Sequence, residues 1–413
     1  MLKYYYQCTD CGKEYHTDEV IYLCPKCEKE NKPEMPPKGV LKTLYDYNKL
    51  KEKYPSGIFS SLSKNNFLDI LPVHSLDSFP YLKVGNTPFY KINKLEGDEL
   101  PFQLYLKDES QNPTFSFKDR ASNLVSAFAK ENRINTIVAA STGNAGSSLA
   151  GICAAQNQKA IIFVPAKAPK AKLTQILMYG ANIVPVDGTY DNAFDLSIAA
   201  TKKFGWYNRN TAFNPFTIEG KKTVSFELFE NLEQKTPDRI FIPVGDGVII
   251  SGVYKGFEDL LLLGVIDKMP EIIAVQAEGS DNISRNINSD VFLSKPSSTI
   301  ADSISVDIPR NFYMAKKFIK EYNGKCITVS DDEIINASVL LSKNTGIFSE
   351  PAAATAFAGM LNYMSSGKID ENSKNIVLLT GCGLKDLNAV QSKISMPDAV
   401  KPEIASLDNL MLK

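Results

Sequence analysis

Histidine is nearly absent: the 413 residues include two, His16 and His74, and both precede the part of the chain where strands and helices begin to alternate. A Ser-His-Asp or Cys-His arrangement in the main body therefore has almost nothing to work with. Acid/base work falls to lysine, carboxylates or a cofactor. An excess of charge of one sign is missing too. Lysine and arginine total 46 against 47 aspartates and glutamates, so neither nucleic acid nor an anionic membrane is expected as a partner. No apolar run approaches the roughly 20 residues of a membrane span. The opening MLKYYYQCTDCGK lacks the apolar core of a secretory signal, and the expected location is cytoplasmic. The glycine turns fit neither G-x-G-x-x-G nor G-x-x-x-x-G-K-[ST], which weakens dinucleotide and P-loop readings.

Cysteine is present but unevenly spread. Cys8, Cys11, Cys24 and Cys27 form C-x2-C-x12-C-x2-C, whereas Cys153, Cys326 and Cys382 are scattered singly among apolar residues. Two close CxxC knuckles are similar to a zinc ribbon, each supplying two thiolates to a structural, tetrahedral zinc. Gly12 and Pro25 suit the knuckle turns. The alternatives are two disulfides, which a reducing compartment disfavours, or unliganded thiols. His16, inside the loop, reads as an exposed histidine rather than a ligand. The three single cysteines read as small core residues.

A linker, NKPEMPPKGV, covers residues 31–40. Beyond residue 80, apolar β-branched runs at 135–140, 160–164, 182–186, 239–244, 271–276 and 375–380 predict buried parallel strands. Segments with helical spacing separate them, such as 119–130. This alternation predicts an α/β fold of two open, mainly parallel lobes with a cleft between them, preceded by the ribbon-like segment. The expected division is 1–40 (ribbon and linker), 41–125 (first part of a large domain), 126–210 (small α/β domain) and 211–413 (remainder of the large domain).

Three turns follow strands, where open α/β sheets bind ligands. Ser141-Thr142-Gly143-Asn144-Ala145-Gly146 leads into an apolar helix, and its small residues let backbone N–H groups approach an anion. Gly245-Asp246-Gly247 precedes VIISGVYKGF with the same logic for a phosphate. Thr380-Gly381-Cys382-Gly383 is the third. Each alone is compatible with an ordinary strand-to-helix turn. Lys118, in NPTFSFKDR, is flanked by Phe115 and Phe117, an apolar setting that lowers a lysine's pKa and suits Schiff-base chemistry. Taken alone it reads rather as a surface lysine paired with Asp119.

Six segments in order carry a resemblance: VGNTPFYK (84–91), LKDESQNPTFSFKDR (106–120), ASTGNAGSS (140–148), FNPFTIEGKKT (213–223), PVGDGVIISGVYKGF (243–257) and LTGCGLKD (379–386). Together they resemble the fold-type II, tryptophan synthase β-like pyridoxal-phosphate enzymes and, within them, the threonine synthase branch. The resemblance implies that Lys118 holds pyridoxal 5'-phosphate and then shuttles protons. Asn144 would bond the cofactor's 3'-oxygen, backbone N–H groups of Gly245, Asp246, Gly247, Val248 and Ile249 would cradle its phosphate, and Thr380 would bond the ring nitrogen. A hydroxyl at that nitrogen favours elimination and replacement over transamination. Ser141 and Thr142 would take the substrate carboxylate, with Asn210 and Thr211 at the substrate.

The branch implies a lyase in amino-acid biosynthesis converting O-phosphohomoserine and water to threonine and phosphate, with a homodimer as the usual assembly. The alternatives are a β-replacement or dehydratase acting on O-phosphoserine, serine or threonine, and a scaffold that has lost catalysis. One departure bears on the substrate. Where the branch reads N-P-x-R-x-E-G-Q-K-T, this chain has Thr217 in place of the arginine expected to clamp the substrate phosphate, a change that removes a bidentate donor. Arg310, in ADSISVDIPRN (301–311), is the expected compensating cation, with Arg120 and Lys222 as further possibilities, and a solvated loop arginine is the alternative for Arg310. Asp246 and Val248 stand where Asn and Gly are usual.

Overall fold

All six apolar runs are strands in the computed structural model, which describes residues 3–391 and 394–407. In chain order, β1 (Tyr4–Cys8), β2 (Glu14–Tyr15) and β3 (Leu41–Tyr45) form a small antiparallel sheet with β1 central. Helices α1 (Tyr47–Lys53) and α2 (Ile58–Lys64) precede an antiparallel pair, β4 (Phe89–Leu95) and β5 (Asp98–Asp108). Helix α3 (Lys118–Glu131) opens the series β6 (Thr136–Ala140), α4 (Asn144–Ala155), β7 (Lys159–Pro165), α5 (Lys170–Met178), β8 (Asn182–Val186), α6 (Tyr190–Phe204) and β9 (Tyr207–Asn208). The rest comprises α7 (Phe216–Asn231), β10 (Arg239–Pro243), α8 (Val248–Leu262), β11 (Glu271–Ala277), α9 (Phe312–Glu321), β12 (Lys325–Val329), α10 (Asp331–Thr345), α11 (Pro351–Ser365) and β13 (Lys374–Leu379).

Two mainly parallel sheets result, as expected. The order β8-β7-β6-β9 is parallel throughout, and β12-β11-β10-β13-β5-β4 is parallel except at the edge strand β4. The central strands β10, β11 and β13 are covered on both faces, which explains their near-continuous apolar runs. Strands β4, β5 and β12 lie outside the six runs. Their alternating or exposed residues belong to the antiparallel hairpin and to the far edge, where one face meets solvent.

Helix α7 positions the cleft. Residues 216–222 are all buried, because α7 is wedged between α3 and α8. Gly220 makes the α3 contact possible: a Cβ there would lie 2.3 Å from the Arg120 carbonyl oxygen. No helix among the described residues is long and apolar enough to cross a membrane.

Candidate active site

The C-terminal ends of β6 and β10, one from each parallel sheet, border a cleft of about 410 Å³. Lys118 lines it as the first residue of α3. The segment before it is stapled to the end of β13: the Phe117 N–H donates to the Thr380 carbonyl at 2.9 Å, and the Cys382 N–H to the Phe115 carbonyl at 3.1 Å. Phe115 takes a φ of 69°, a left-handed conformation that costs energy for an aromatic residue and marks a tightly determined turn. Of the two flanking rings, Phe117 is fully buried and Phe115 half exposed. Asp119 accepts from the Thr114 N–H at 2.7 Å and its hydroxyl at 2.5 Å. Asp119 is thus spent on the preceding loop and not on Lys118, whose amine burial pushes below the ordinary lysine range.

Ser141, Thr142, Asn144, Asn210, Thr211, the Gly245–Ile249 loop and Arg310 line the same cleft. Asn144 begins α4, and its amide donates to both oxygens of Glu350 at 3.0 Å. Glu350 is a buried carboxylate before α11 whose pKa burial raises. The sequence reading did not single it out, and Glu-Pro before an alanine-rich helix was the available signal. Asn210 binds inward, accepting from the Ala140 N–H and donating to Ser197, both at 2.7 Å. Thr380 is absent from the lining and stands behind Lys118, through the Phe117 bond. Gly247 adopts a φ of 84° as it turns the chain into α8. The first N–H groups of α8 therefore point free at the cleft, a setting that favours an anion. Asp246 is held by the backbone, its carboxylate accepting from the Arg310 N–H at 3.2 Å, and it lines the cleft within electrostatic reach of Lys118 and Lys221.

A sequence profile of the pyridoxal-phosphate dependent enzymes matches residues 81–381. A threonine synthase from Methanocaldococcus jannaschii is 34% identical over 98% of this chain and 98% of its own length, and one from Methanosarcina acetivorans is 34% identical with the same coverage. Among solved structures, a processed threonine deaminase isoform from Solanum lycopersicum superposes with a TM-score of 0.63 at 25% identity, covering 74% of this chain and 89% of that one. This chain belongs to the pyridoxal-phosphate-dependent enzyme family.

The cleft suits that family's cofactor. It offers a partly buried lysine whose amine is held below the ordinary lysine range and, bordering the same cleft, a helix N-terminus approached by a glycine turn. The cations expected around it fare differently. Arg120 is paired with Glu109 and Glu227, and Lys222 with Glu219 and Asp259, all inside the core, so neither reaches the cleft. Arg310 is at the cleft but ion-paired to Asp191, with its guanidinium 4.8 Å from the Phe194 ring centre. Thr217 is fully buried and donates to the Asn214 carbonyl at 2.8 Å. Two cations that the sequence reading passed over, Arg209 and Lys221, do line the cleft. Lys221 stands where the branch has glutamine, a visible signal.

The four N-terminal cysteines converge, their sulfurs all within 4.8 Å of one another. Cys8 and Cys27 sulfurs are 3.7 Å apart, and those of Cys11 and Cys24 3.8 Å. A tetrahedral metal with bonds of about 2.3 Å requires sulfur separations of about 3.8 Å, so the cluster fits one. His16 is exposed and outside the cluster. Cys153 is fully buried, whereas Cys326 and Cys382 are partly buried. Tyr22, two residues before Cys24, stacks on Phe213 at 4.4 Å, and its hydroxyl accepts the Asn208 N–H at 2.9 Å. The ribbon thus props the segment that carries Arg209, Asn210 and Thr211.

Proposed function

We propose that this chain is a threonine synthase, converting O-phosphohomoserine and water to threonine and phosphate. The observation that carries the reading is the partly buried, low-pKa Lys118 sharing a cleft with the glycine turn before α8 in a chain whose full-length relatives bear that name. Pyridoxal phosphate, when bound, supplies an electron sink for charge developed at the substrate Cα. Lys118 would anchor it, Asn144 would orient its ring, and the N–H groups from Gly245 to Ile249 would take its phosphate, while Thr380, outside the lining, would hold the Lys118 segment from behind. Ser141 and Thr142 hold the substrate carboxylate. The Lys118 amine would then remove the α-proton and one β-proton; phosphate leaves Cγ, Cγ gains a proton to become the methyl group, water adds its hydroxyl at Cβ, and a proton returns to Cα.

Zinc held by Cys8, Cys11, Cys24 and Cys27 has a structural role in this reading, supported by the sulfur separations. Within it the chain divides at residues 40, 125 and 210, a division supported by the separate membership of the two parallel sheets. A homodimer acting in the cytoplasm completes the reading. The test is a substrate panel. O-phosphohomoserine should release phosphate in step with threonine, and Lys118→Ala should lose both turnover and the visible absorbance of bound cofactor. Turnover confined to O-phosphoserine, serine or threonine would instead establish the β-replacement or dehydratase reading.

A further inference from the structure

Among the charged side chains of α7, Glu219, Lys222 and Glu227 all sit in ion pairs. Lys221 does not. It is 1% exposed, lines the cleft, and its ammonium donates only to the Thr217 carbonyl at 3.1 Å. Arg209, also 1% exposed, enters the cleft from the segment after β9. Its Nε donates to the Ser122 hydroxyl at 3.2 Å and its Nη1 to the Thr211 hydroxyl at 3.4 Å, while Nη2 has no partner among the described residues. Among the described residues neither cation has a carboxylate in ion-pair contact, although Asp246 lies within electrostatic reach of Lys221 and Asp119 of Arg209. A buried cation with an unused donor is costly unless something fills the place, and buried polar groups without partners call for a missing ion or ligand.

Position explains what that ligand is. Residues 217 and 221 are one helical turn apart, on one face of α7. The Lys221 side chain runs back along that face, so its ammonium ends beside Thr217, at the helix end where the branch carries its arginine. Arg209 lies within electrostatic reach of Lys221 and of Lys118. The Arg310 guanidinium is already engaged by Asp191.

We propose that Lys221 and Arg209 together form the subsite for the substrate's phosphate, a relocated cation pair that takes over the task of the arginine replaced by Thr217. The proposal rests on the reading that the substrate is a phosphorylated amino acid. Arg209 supplies a planar donor fork and Lys221 a point charge, both suited to a phosphate dianion and to the charge developing as it leaves. The cofactor phosphate is the other anion to be placed in the cleft, and the first turn of α8 would take it instead.

The experiment uses holoenzyme and inorganic phosphate as the probe. Phosphate binding is followed by calorimetry and as competitive inhibition, beside cofactor affinity measured by absorbance, for wild type, Lys221→Gln, Arg209→Gln and the conservative Lys221→Arg and Arg209→Lys. The expected result is a loss of phosphate affinity of ten-fold or more in both Gln variants, partial retention in the charge-preserving pair, and unchanged cofactor affinity. Where O-phosphohomoserine is turned over, its KM rises in parallel. Unchanged phosphate affinity, or loss of cofactor affinity at equal phosphate affinity, would overturn the assignment. Should wild type bind phosphate through these residues yet not turn over O-phosphohomoserine, the threonine synthase reading falls and the subsite stands.

Discussion

Lys118 and Lys221 are both held below the ordinary lysine range by burial. For Lys221 the neighbouring Arg209 and Lys118 add to the effect, and Asp246 opposes it only in part. A lowered lysine pKa means that the unfolded chain binds more protons than the folded one, so stability rises with pH from the folded value up to about 10.4, where the unfolded lysine titrates. Lys221 therefore costs stability at neutral pH. Lys221→Met should raise the unfolding free energy at pH 7 by about 1–3 kcal/mol, part of the penalty of a buried unpaired ion, and should flatten the gain between pH 7 and pH 10. Denaturant melts at both pH values measure this, and an unchanged or lower stability at pH 7 would show that the ammonium is not the burden described. Lys118 was legible because its motif is short and ordered among five others. Arg209 and Lys221 were not, since lacking a partner inside the fold is a tertiary property that adjacent Lys222, fully paired, does not share.

At the level of elements, the sequence reading found the strands made of continuous apolar runs, partly exposed β8 among them, and passed over β4, β5 and β12, whose residues alternate or meet solvent. Strand β4 has exposed residues at most positions, and β5 begins with Asp98-Glu99 and contains Pro101. Neither pattern resembles a buried strand. The contact between ribbon and cleft was equally hidden, because Tyr22 and Phe213 are far apart in sequence and meet only through the fold. That contact carries a prediction. Tyr22→Leu keeps apolar bulk but removes a stacked ring and one hydrogen bond, so it should cost about 1–2 kcal/mol of stability. Because the propped segment holds Arg209, KM for O-phosphohomoserine should rise several-fold. If the four cysteines hold zinc as proposed, a chelator should reproduce the KM effect in wild type and add little in the variant. Equal sensitivity of the two proteins to the chelator would uncouple ribbon from cleft.

Across the whole molecule, two ion pairs span the cleft's edge. Lys172 of α5 meets Asp302 at 2.8 Å, and Asp191 of α6 meets Arg310. Both join the smaller parallel sheet's helices to the 302–310 segment of the larger unit, and as exposed or half-exposed pairs they add little stability. Their place beside a cleft lined by Lys118, Arg209 and Lys221 suits a site handling a charged substrate away from water. The most direct test of the central claim is O-phosphohomoserine turnover in heavy water, with products identified by proton NMR. The account predicts threonine and phosphate in equal amounts, deuterium in the threonine methyl group and at Cα, and no product from Lys118→Ala. Phosphate released with 2-oxobutyrate in place of threonine, or no turnover of O-phosphohomoserine, would contradict it.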